Sequence, residues 1–396
     1  MTCDDWHSMV EAQPFADALA SLNEWHFFRE FVFSRTTFRP VPEKELELAD
    51  NLVWLGDILV AYQLKERELV RDANSDTEKR WFEKKILGNA TRQIRDTVRY
   101  LQNFHSIELQ NGRGHPSQLT LAAFHRIHKL IVYLPQNQLP AECRRIKHHI
   151  SSTVGLIHII CGPDYLGIVR TLLTPAEVAD YLIFREELIT RWPDQVLPAS
   201  EASLVGQYLS GDLDARPSTE YLEYLSRLEH HADEWDMSGI ISKFPDRMTT
   251  GNSNAEYYPI VRELALLKRD ELRQFKLRFQ KSIKKARKNE FTKPYRMAVP
   301  RTGCGFVFIP VTKNLLPRRQ VALTNLTLAH KYDLRLGKCV GVSIADDIKP
   351  WFTAEWCYVE FPWEQDSEME RLLKENNPFR DVKEHVASAY SFDAPK

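Results

Sequence analysis

Residues 45–67 read ELELADNLVWLGDILVAYQLKER. Three acids, Glu45, Glu47 and Asp50, lead into an apolar run, and the run closes on two polar residues one position apart, Gln63 and Lys65. Gly56-Asp57 in the middle is a tight-turn pair, so ELELADNLVWL and DILVAYQLKER are predicted to be the two strands of a buried β-hairpin. Side chains alternate along a strand, which sets Gln63 and Lys65 on one face and Tyr62 and Leu64 on the other. Asp50 starts the partner strand across the turn and so comes to the same end of the sheet. A hard divalent ion needs oxygen ligands, which a carboxylate and an amide supply. A lysine two residues away can help deprotonate an attacking water or stabilise charge in the transition state. The plainer alternative makes Lys65, Glu66 and Arg67 solvated charges at a strand exit and Asp50 a turn residue.

Outward from the hairpin, residues 5–33 read as a helical segment rich in aromatics. Residues 76–104 have helical spacing, with Trp81, Ile86, Ile94, Val98 and Leu101 among the apolar positions. HRIHKLIVYLP and TVGLIHIICG read as strands. TPAEVADYLIFREELITRW then opens a helix with Thr174 as cap, Pro175 in the first turn and Glu177 at the third position. Residues 194–260 read as helices with loops, and residues 261–289 as a long basic amphipathic helix. Beyond residue 295 the strand-like GFVFIPV, GKCVGVSIA and FTAEWCYVEFPW surround a helix near VALTNLTLAHKYDL. The expected class is α/β to α+β, in three parts: 1–193, a helical linker region 194–290 that carries the basic helix, and a small α+β domain 291–396.

The order helix, Asp50, Gln63-Leu64-Lys65, helix resembles the PD-(D/E)XK nuclease superfamily. The core of that family is a helix, a hairpin carrying Asp and then acid-x-Lys, a helix and a further strand. Gln63 in place of the second acid is similar to the QxK variant of the Mrr and nuclease-related-domain branches. The resemblance covers residues 20–160, under half of the chain. It implies a restriction-endonuclease-like α-β-β-α-β core within 1–193, with Asp50 as principal ligand of Mg²⁺ or Mn²⁺, Gln63 as second ligand and Lys65 as catalytic lysine. Members often add a glutamate from the first helix. Glu30, in FFREFVF, is the candidate, with Glu24 behind it, and the spacing leaves open which of Glu45 and Glu47 turns inward. The implied activity is metal-dependent endonucleolytic hydrolysis of DNA phosphodiester bonds, as an effector of prokaryotic restriction or antiphage defence. The alternative is a non-catalytic nucleic-acid- or protein-binding scaffold that keeps the nuclease-like core.

Two basic faces are candidates for phosphate contact. One is the helix 76–104 with Arg92, Gln93 and Arg95, against which stand interspersed acids and an ordinary solvated face. The other runs from Lys268 to Lys288 and includes Lys281, Lys284 and Lys285; such a face would make binding fall steeply with salt, although basic amphipathic helices also meet acidic protein surfaces or solvent. The formal net charge of −1 provides no global attraction to nucleic acid or to a membrane. Six cysteines at 3, 143, 161, 304, 339 and 357, with no CxxC pair, argue against structural zinc and a disulfide scaffold. Adjacent His148 and His149 face opposite ways in a strand and read as packing or surface residues, and Cys161 and Cys304 as small buried hydrophobes. The chain shows neither a P-loop nor a GxSxG elbow, so any motor, like any sensor, would be a separate protein. No stretch has the apolar length of a membrane helix, and the start of the chain is unlike a signal peptide. The expected location is the cytoplasm, with nucleic acid as partner and self-association left open.

Overall fold

The computed structural model describes residues 13–34, 36–41, 43–68, 74–121, 126–229, 255–347 and 351–381, together with residue 383 and a few positions from 231 to 253. The chain is mixed α/β and divides into two compact units, Met1–Leu228 and Glu229–Lys396.

In the first unit, helix α1 (Phe15–Phe27) buries Phe15, Ala18, Leu19 and Leu22, the spacing of a single helical stripe. It stops at Phe28, whose φ of 66° is left-handed, and a 3₁₀ turn at Arg29–Phe31 leads into β1 (Val32–Phe33). The aromatic tail FFREFVF, expected to be helical, therefore turns and joins the sheet edge.

The hairpin forms where the sequence places it. Strands β4 (Asn51–Leu55) and β5 (Ile58–Glu66) pair antiparallel, with Leu55 opposite Ile58 and Asn51 opposite Tyr62. Gly56 makes the turn at φ 58°. The first strand is shorter than the sequence suggests. Lys44–Glu47 forms β3, which pairs with β2 (Thr37–Val41) in a separate two-stranded sheet. The chain bends at Leu48–Asp50 because threonine hydroxyls take over the hydrogen bonds that a ladder would otherwise supply. Thr36 Oγ1 bonds Ala49 O and accepts from Ala49 N at 3.0 Å, and Thr97 Oγ1 donates to Leu48 O at 2.5 Å. Leu48 and Ala49 are buried, so these peptide groups need such partners.

After β5 the chain runs through α2 (Ser75–Trp81), a π-helical stretch Phe82–Ala90 and α3 (Thr91–Asn103), close to the single helix expected over 76–104. Asn74 and Thr77 form a capping box at its start. A small pair, β6 (Ile107–Gln110) and β7 (Pro116–Leu119), precedes β8 (Arg126–Leu134), which returns parallel to β5 with Gln63 opposite Ile131 and Lys65 opposite Tyr133. Then β9 (His148–Ser151) and β10 (Gly155–Cys161) complete a mixed six-stranded sheet in the order β1-β4-β5-β8-β10-β9. The three central parallel strands are covered on both faces and mostly apolar, with Gln63, His128 and His158 as buried polar exceptions. On one face Ile86, Ala90 and Ile94 of the helical run pack with Ile131, Tyr133 and Ile159, and Leu101 packs with Leu59 and Ala61. On the other, α1 and α4 (Gly162–Thr171) lie against the sheet. Next come α5 (Pro175–Arg191), capped by Thr174 accepting from Glu177 N, and α6 (Glu201–Ser210).

In the second unit, α7 (Tyr258–Ala265) and α8 (Arg269–Arg287) precede the sheet in the chain. Strands β11 (Tyr295–Val299), β12 (Cys304–Val311), β13 (Lys338–Ala345) and β14 (Thr353–Glu360) form a sheet in that order, with β12 and β13 parallel. Phe275 and Phe279 of α8 pack against Phe306, Phe308 and Trp356. Leu323 and Ala329 of α9 (Arg319–Asp333) join Val307 and Cys339 in the core of the opposite face. A last helix, α10 (Ser367–Glu375), is capped by Asp366. The helix read from sequence as a linker element is thus the cover of one sheet face.

Candidate functional site

The open end of the β4–β5 hairpin gathers three of the residues singled out from the sequence. Asp50 N donates to Tyr62 O at 3.1 Å, which prolongs the ladder one step past β4. Its Oδ2 accepts from Leu64 N at 2.6 Å and lies 3.4 Å from Lys65 Nζ. Lys65 Nζ also donates to Leu64 O at 2.8 Å, so the ammonium folds back over the strand end. Gln63 is 3% exposed and on the same face as Lys65, and its Oε1 is buried without a hydrogen-bond partner.

Helix α3 roofs this face. Thr97 is pinned to Leu48 O, between Glu47 and Asp50, and Ile94 packs on Ile131, the residue opposite Gln63. Gln93, one turn before Thr97, is carried on the same side of the helix. Its Oε1 is also buried with no partner. The sequence grouped Gln93 with Arg92 and Arg95, but the helix separates them, since Arg92 and Arg95 face solvent.

Glu30 is not brought to this end. Val32 pairs with Val53 and Phe33 with Leu52, so the chain before Val32 runs toward the hairpin turn, away from Asp50. The Glu30 carboxylate is 4% exposed and pairs with Arg113 at 3.0 Å, and its carbonyl accepts from Asn111 Nδ2 at 3.0 Å. Glu24 pairs with Arg29 at 3.1 Å in the same corner.

The other carboxylate whose charge reaches Asp50 is that of Glu47, at the end of β3. Asp50 and Lys65 are the charged groups facing it: partial desolvation raises its pKa, the Asp50 charge raises it further, and Lys65 pulls the other way. Glu45 points along the same side of β3 but pairs with Arg39 at 3.5 Å, on the surface. Both acids precede the bend at Leu48–Asp50, and Glu47 is the one next to it; the bend could not be read from an alternating pattern that fits a continuous strand.

Compared with known proteins, the chain matches no family model, no curated protein and no solved structure. The site therefore rests on its own chemistry. Among the described residues no three His, Cys, Asp or Glu side chains assemble a metal site. The residues at the hairpin end are instead two carboxylates with orphaned amide oxygens. This donor set fits a hard cation such as Mg²⁺ or Mn²⁺ and would not hold a thiophilic one.

The opposite face of the hairpin is closed by bonds. Asn23 of α1 donates to Asn51 Oδ1 at 2.8 Å and accepts from Tyr165 at 2.7 Å, and the Tyr165 and Tyr62 hydroxyls are hydrogen-bonded at 2.9 Å. Burial holds the pKa values of both tyrosines above the ordinary phenol value. This chain fixes β4 and β5 to α1 and α4 from behind and carried no signature in the sequence.

A second buried polar cluster also escaped the sequence reading. Arg185 of α5, fully buried, bonds Glu201 at 2.7 and 3.2 Å, Lys147 O at 3.1 Å and His158 Nδ1 at 2.9 Å. Tyr181 donates to the same Glu201 carboxylate and Lys147 Nζ lies 3.4 Å from it. Burial alone would raise the Glu201 pKa, but the charges of Arg185 and Lys147 and the hydrogen bonds outweigh it and bring the value down to about 2.

In the second unit the bases of α8 separate into two groups. Arg273 is buried against Glu234 at 2.8 Å, Arg269 lies over Trp235, and Arg278 donates to Arg296 O at 2.8 Å. Lys281 and Lys284 face solvent, and Lys285 pairs with Glu290 at 2.5 Å. Among the described residues no helix is long and apolar enough to cross a membrane.

Proposed function

We propose that the protein is a metal-dependent nuclease that hydrolyses DNA phosphodiester bonds, with its site at the open end of the β4–β5 hairpin. The observation that carries this reading is the convergence of Asp50 and Lys65 at 3.4 Å beside the orphaned Gln63 Oε1. The order α1, hairpin, α2–α3 and parallel β8 supports the resemblance to the PD-(D/E)XK core. Asp50 and Gln63 would hold Mg²⁺ or Mn²⁺, and a bound ion of this kind supplies Lewis-acid polarisation of a phosphoryl oxygen and a water of lowered pKa. Asp50 Oδ2 already has two donors, Leu64 N and Lys65 Nζ, so Oδ1 is the oxygen left to face a ligand. Lys65 lies at the rim, where its ammonium can meet a phosphate oxygen or take part in moving the proton of the attacking water. Gln63 sets the face: its amide is fixed by the buried strand and has no competing donor. Arg92 and Arg95, on the outer side of α3, and Lys281, Lys284 and Lys285 are the proposed phosphate-backbone contacts.

The test incubates the full chain with plasmid DNA and with RNA, in Mg²⁺, Mn²⁺ or EDTA. Metal-dependent cleavage that disappears in Lys65→Ala is the expected result. Intact substrate in every metal, with nucleic acid still bound, would reassign the hairpin end to a binding scaffold.

A further inference from the structure

We infer that Glu47 and Gln93 complete the cation site with Asp50 and Gln63, in the place that the first-helix glutamate Glu30 would otherwise fill. This rests on the nuclease reading above and deepens it by assigning the remaining oxygens. The argument begins with the count of acceptors and donors at the hairpin end. Asp50 is paired with Lys65 at 3.4 Å, and Glu47, at the end of β3 just before the bend pinned by Thr97, is within reach of the charges of both. Gln63 Oε1 and Gln93 Oε1 are acceptors, both buried and both without a partner. A buried amide oxygen left without a donor costs roughly 1–3 kcal/mol, so native structures seldom keep one without a use. Neither oxygen receives a hydrogen bond from the other glutamine's amide nitrogen or from the Lys65 ammonium, so both are left as free acceptors on the face that also carries the carboxylates. One divalent cation satisfies all four, and it matches the preference of Mg²⁺ and Mn²⁺ for oxygen ligands.

The placement follows from backbone geometry. The bend at Leu48–Asp50 is held by Thr36 and Thr97, which brings the end of β3 and the start of β4 under α3. The Thr97 hydroxyl shares its one proton between Leu48 O at 2.5 Å and Gln93 O at 3.0 Å, so the bend and the turn of helix bearing Gln93 are held together. Gln63 lies 3% exposed in the floor, opposite Ile131, on which Ile94 packs. Glu47 stands on the rim, exposed, and accepts no hydrogen bond from the described residues. Glu30 has the opposite status: it is buried, paired with Arg113, and set toward the hairpin turn.

The test titrates Mn²⁺ into the metal-free full chain by calorimetry, without nucleic acid, and repeats it for Glu47→Gln, Gln93→Leu, Asp50→Asn and Glu30→Gln. Circular dichroism and metal-free melting of each variant show that it is folded. The expected result is at least tenfold weaker Mn²⁺ binding in Glu47→Gln and Asp50→Asn, several-fold weaker binding in Gln93→Leu, and wild-type binding in Glu30→Gln. Wild-type affinity in Glu47→Gln, with binding lost in Asp50→Asn, would overturn the assignment of Glu47 and leave the nuclease site standing on Asp50 and Gln63. Weakened binding in Glu30→Gln alone would restore the first-helix glutamate and likewise overturn it. No heat in the wild type at millimolar Mn²⁺ would overturn both this assignment and the metal-site reading beneath it.

Discussion

Gln63→Leu should make the metal-free protein more stable while removing its metal response. Gln63 is 3% exposed, lies between the packed strands β4 and β8, and leaves Oε1 without a donor. Leucine is one bond shorter but similar in volume, and its branched methyl groups take the place of the amide carbon. The substitution removes an unsatisfied acceptor, worth roughly 1–3 kcal/mol, and adds apolar burial at the centre of a sheet. Some misfit of the branched side chain works against this, at under about 1.5 kcal/mol. The net expectation is a gain of about 1–2 kcal/mol, or a few degrees in Tm at roughly 2–4 °C per kcal/mol for a unit of this size. Urea unfolding of the full chain, with hydrogen exchange followed in the peptide covering β5, reads the gain where it arises. Added Mn²⁺ should then protect β5 further in the wild type by mass action and leave Gln63→Leu unchanged. A loss of more than about 1 kcal/mol in Gln63→Leu would refute the reasoning, because it would mean that the amide has a structural partner whose removal is felt.

Two further outcomes follow from the electrostatics. Glu201→Gln removes a carboxylate that faces buried Arg185 and Lys147, so it should destabilise the first unit by about 3–5 kcal/mol in urea unfolding at pH 7. In the wild type, the folded pKa of about 2 against an ordinary 4.5 means that this stabilisation is present above pH 4.5 and is lost as pH falls toward 2, roughly 3 kcal/mol in all; acid titration of the variant should lack that component. Charge reversal at Lys281, Lys284 and Lys285 should weaken nucleic-acid binding and flatten its salt dependence by roughly one unit of slope per lost phosphate contact. An unchanged slope would assign α8 to its packing role alone.

Periodicity carried the fold a long way. The alternation around Gly56 and the helical spacing of 76–104 give the hairpin and its covering helix, and the cap at Thr174 gives the start of α5 to the residue. The convergence of Asp50 and Lys65 was legible too, because strand parity and one turn decide it. What was hidden depends on partners far apart in sequence. Thr36 and Thr97 fold the chain at Leu48–Asp50, and nothing within residues 45–50 indicates a break in an alternating ELEL pattern. Glu30 lay within reach of the site only while the aromatic tail was helical; the left-handed Phe28 and the pairing of β1 with β4 send it elsewhere. The Arg185–Glu201 cluster joins residues 16 apart to Lys147 and His158, and as single letters these are indistinguishable from surface charges.

The two faces of the hairpin end differ in a way that bears on what the site is for. Behind it, Asn23, Asn51, Tyr62 and Tyr165 exchange hydrogen bonds among themselves, and the group left over there, Asn51 Nδ2, is a donor. In front, the groups left over are acceptors, Gln63 Oε1 and Gln93 Oε1, and their neighbours Glu47 and Asp50 are acceptors as well. A fold under selection for stability alone would place a donor or an apolar side chain at position 63, where the strand, the covering helix and the neighbouring core already supply shape. On the proposed reading, an amide there raises the energy of the site without a cation and would lower that of a site holding one, and the difference would appear as binding free energy. On the same reading the rear network would have a role beyond packing. It clamps β4 and β5 to α1 and α4, so that the orphaned oxygens in front cannot relax by moving the strand and finding other partners.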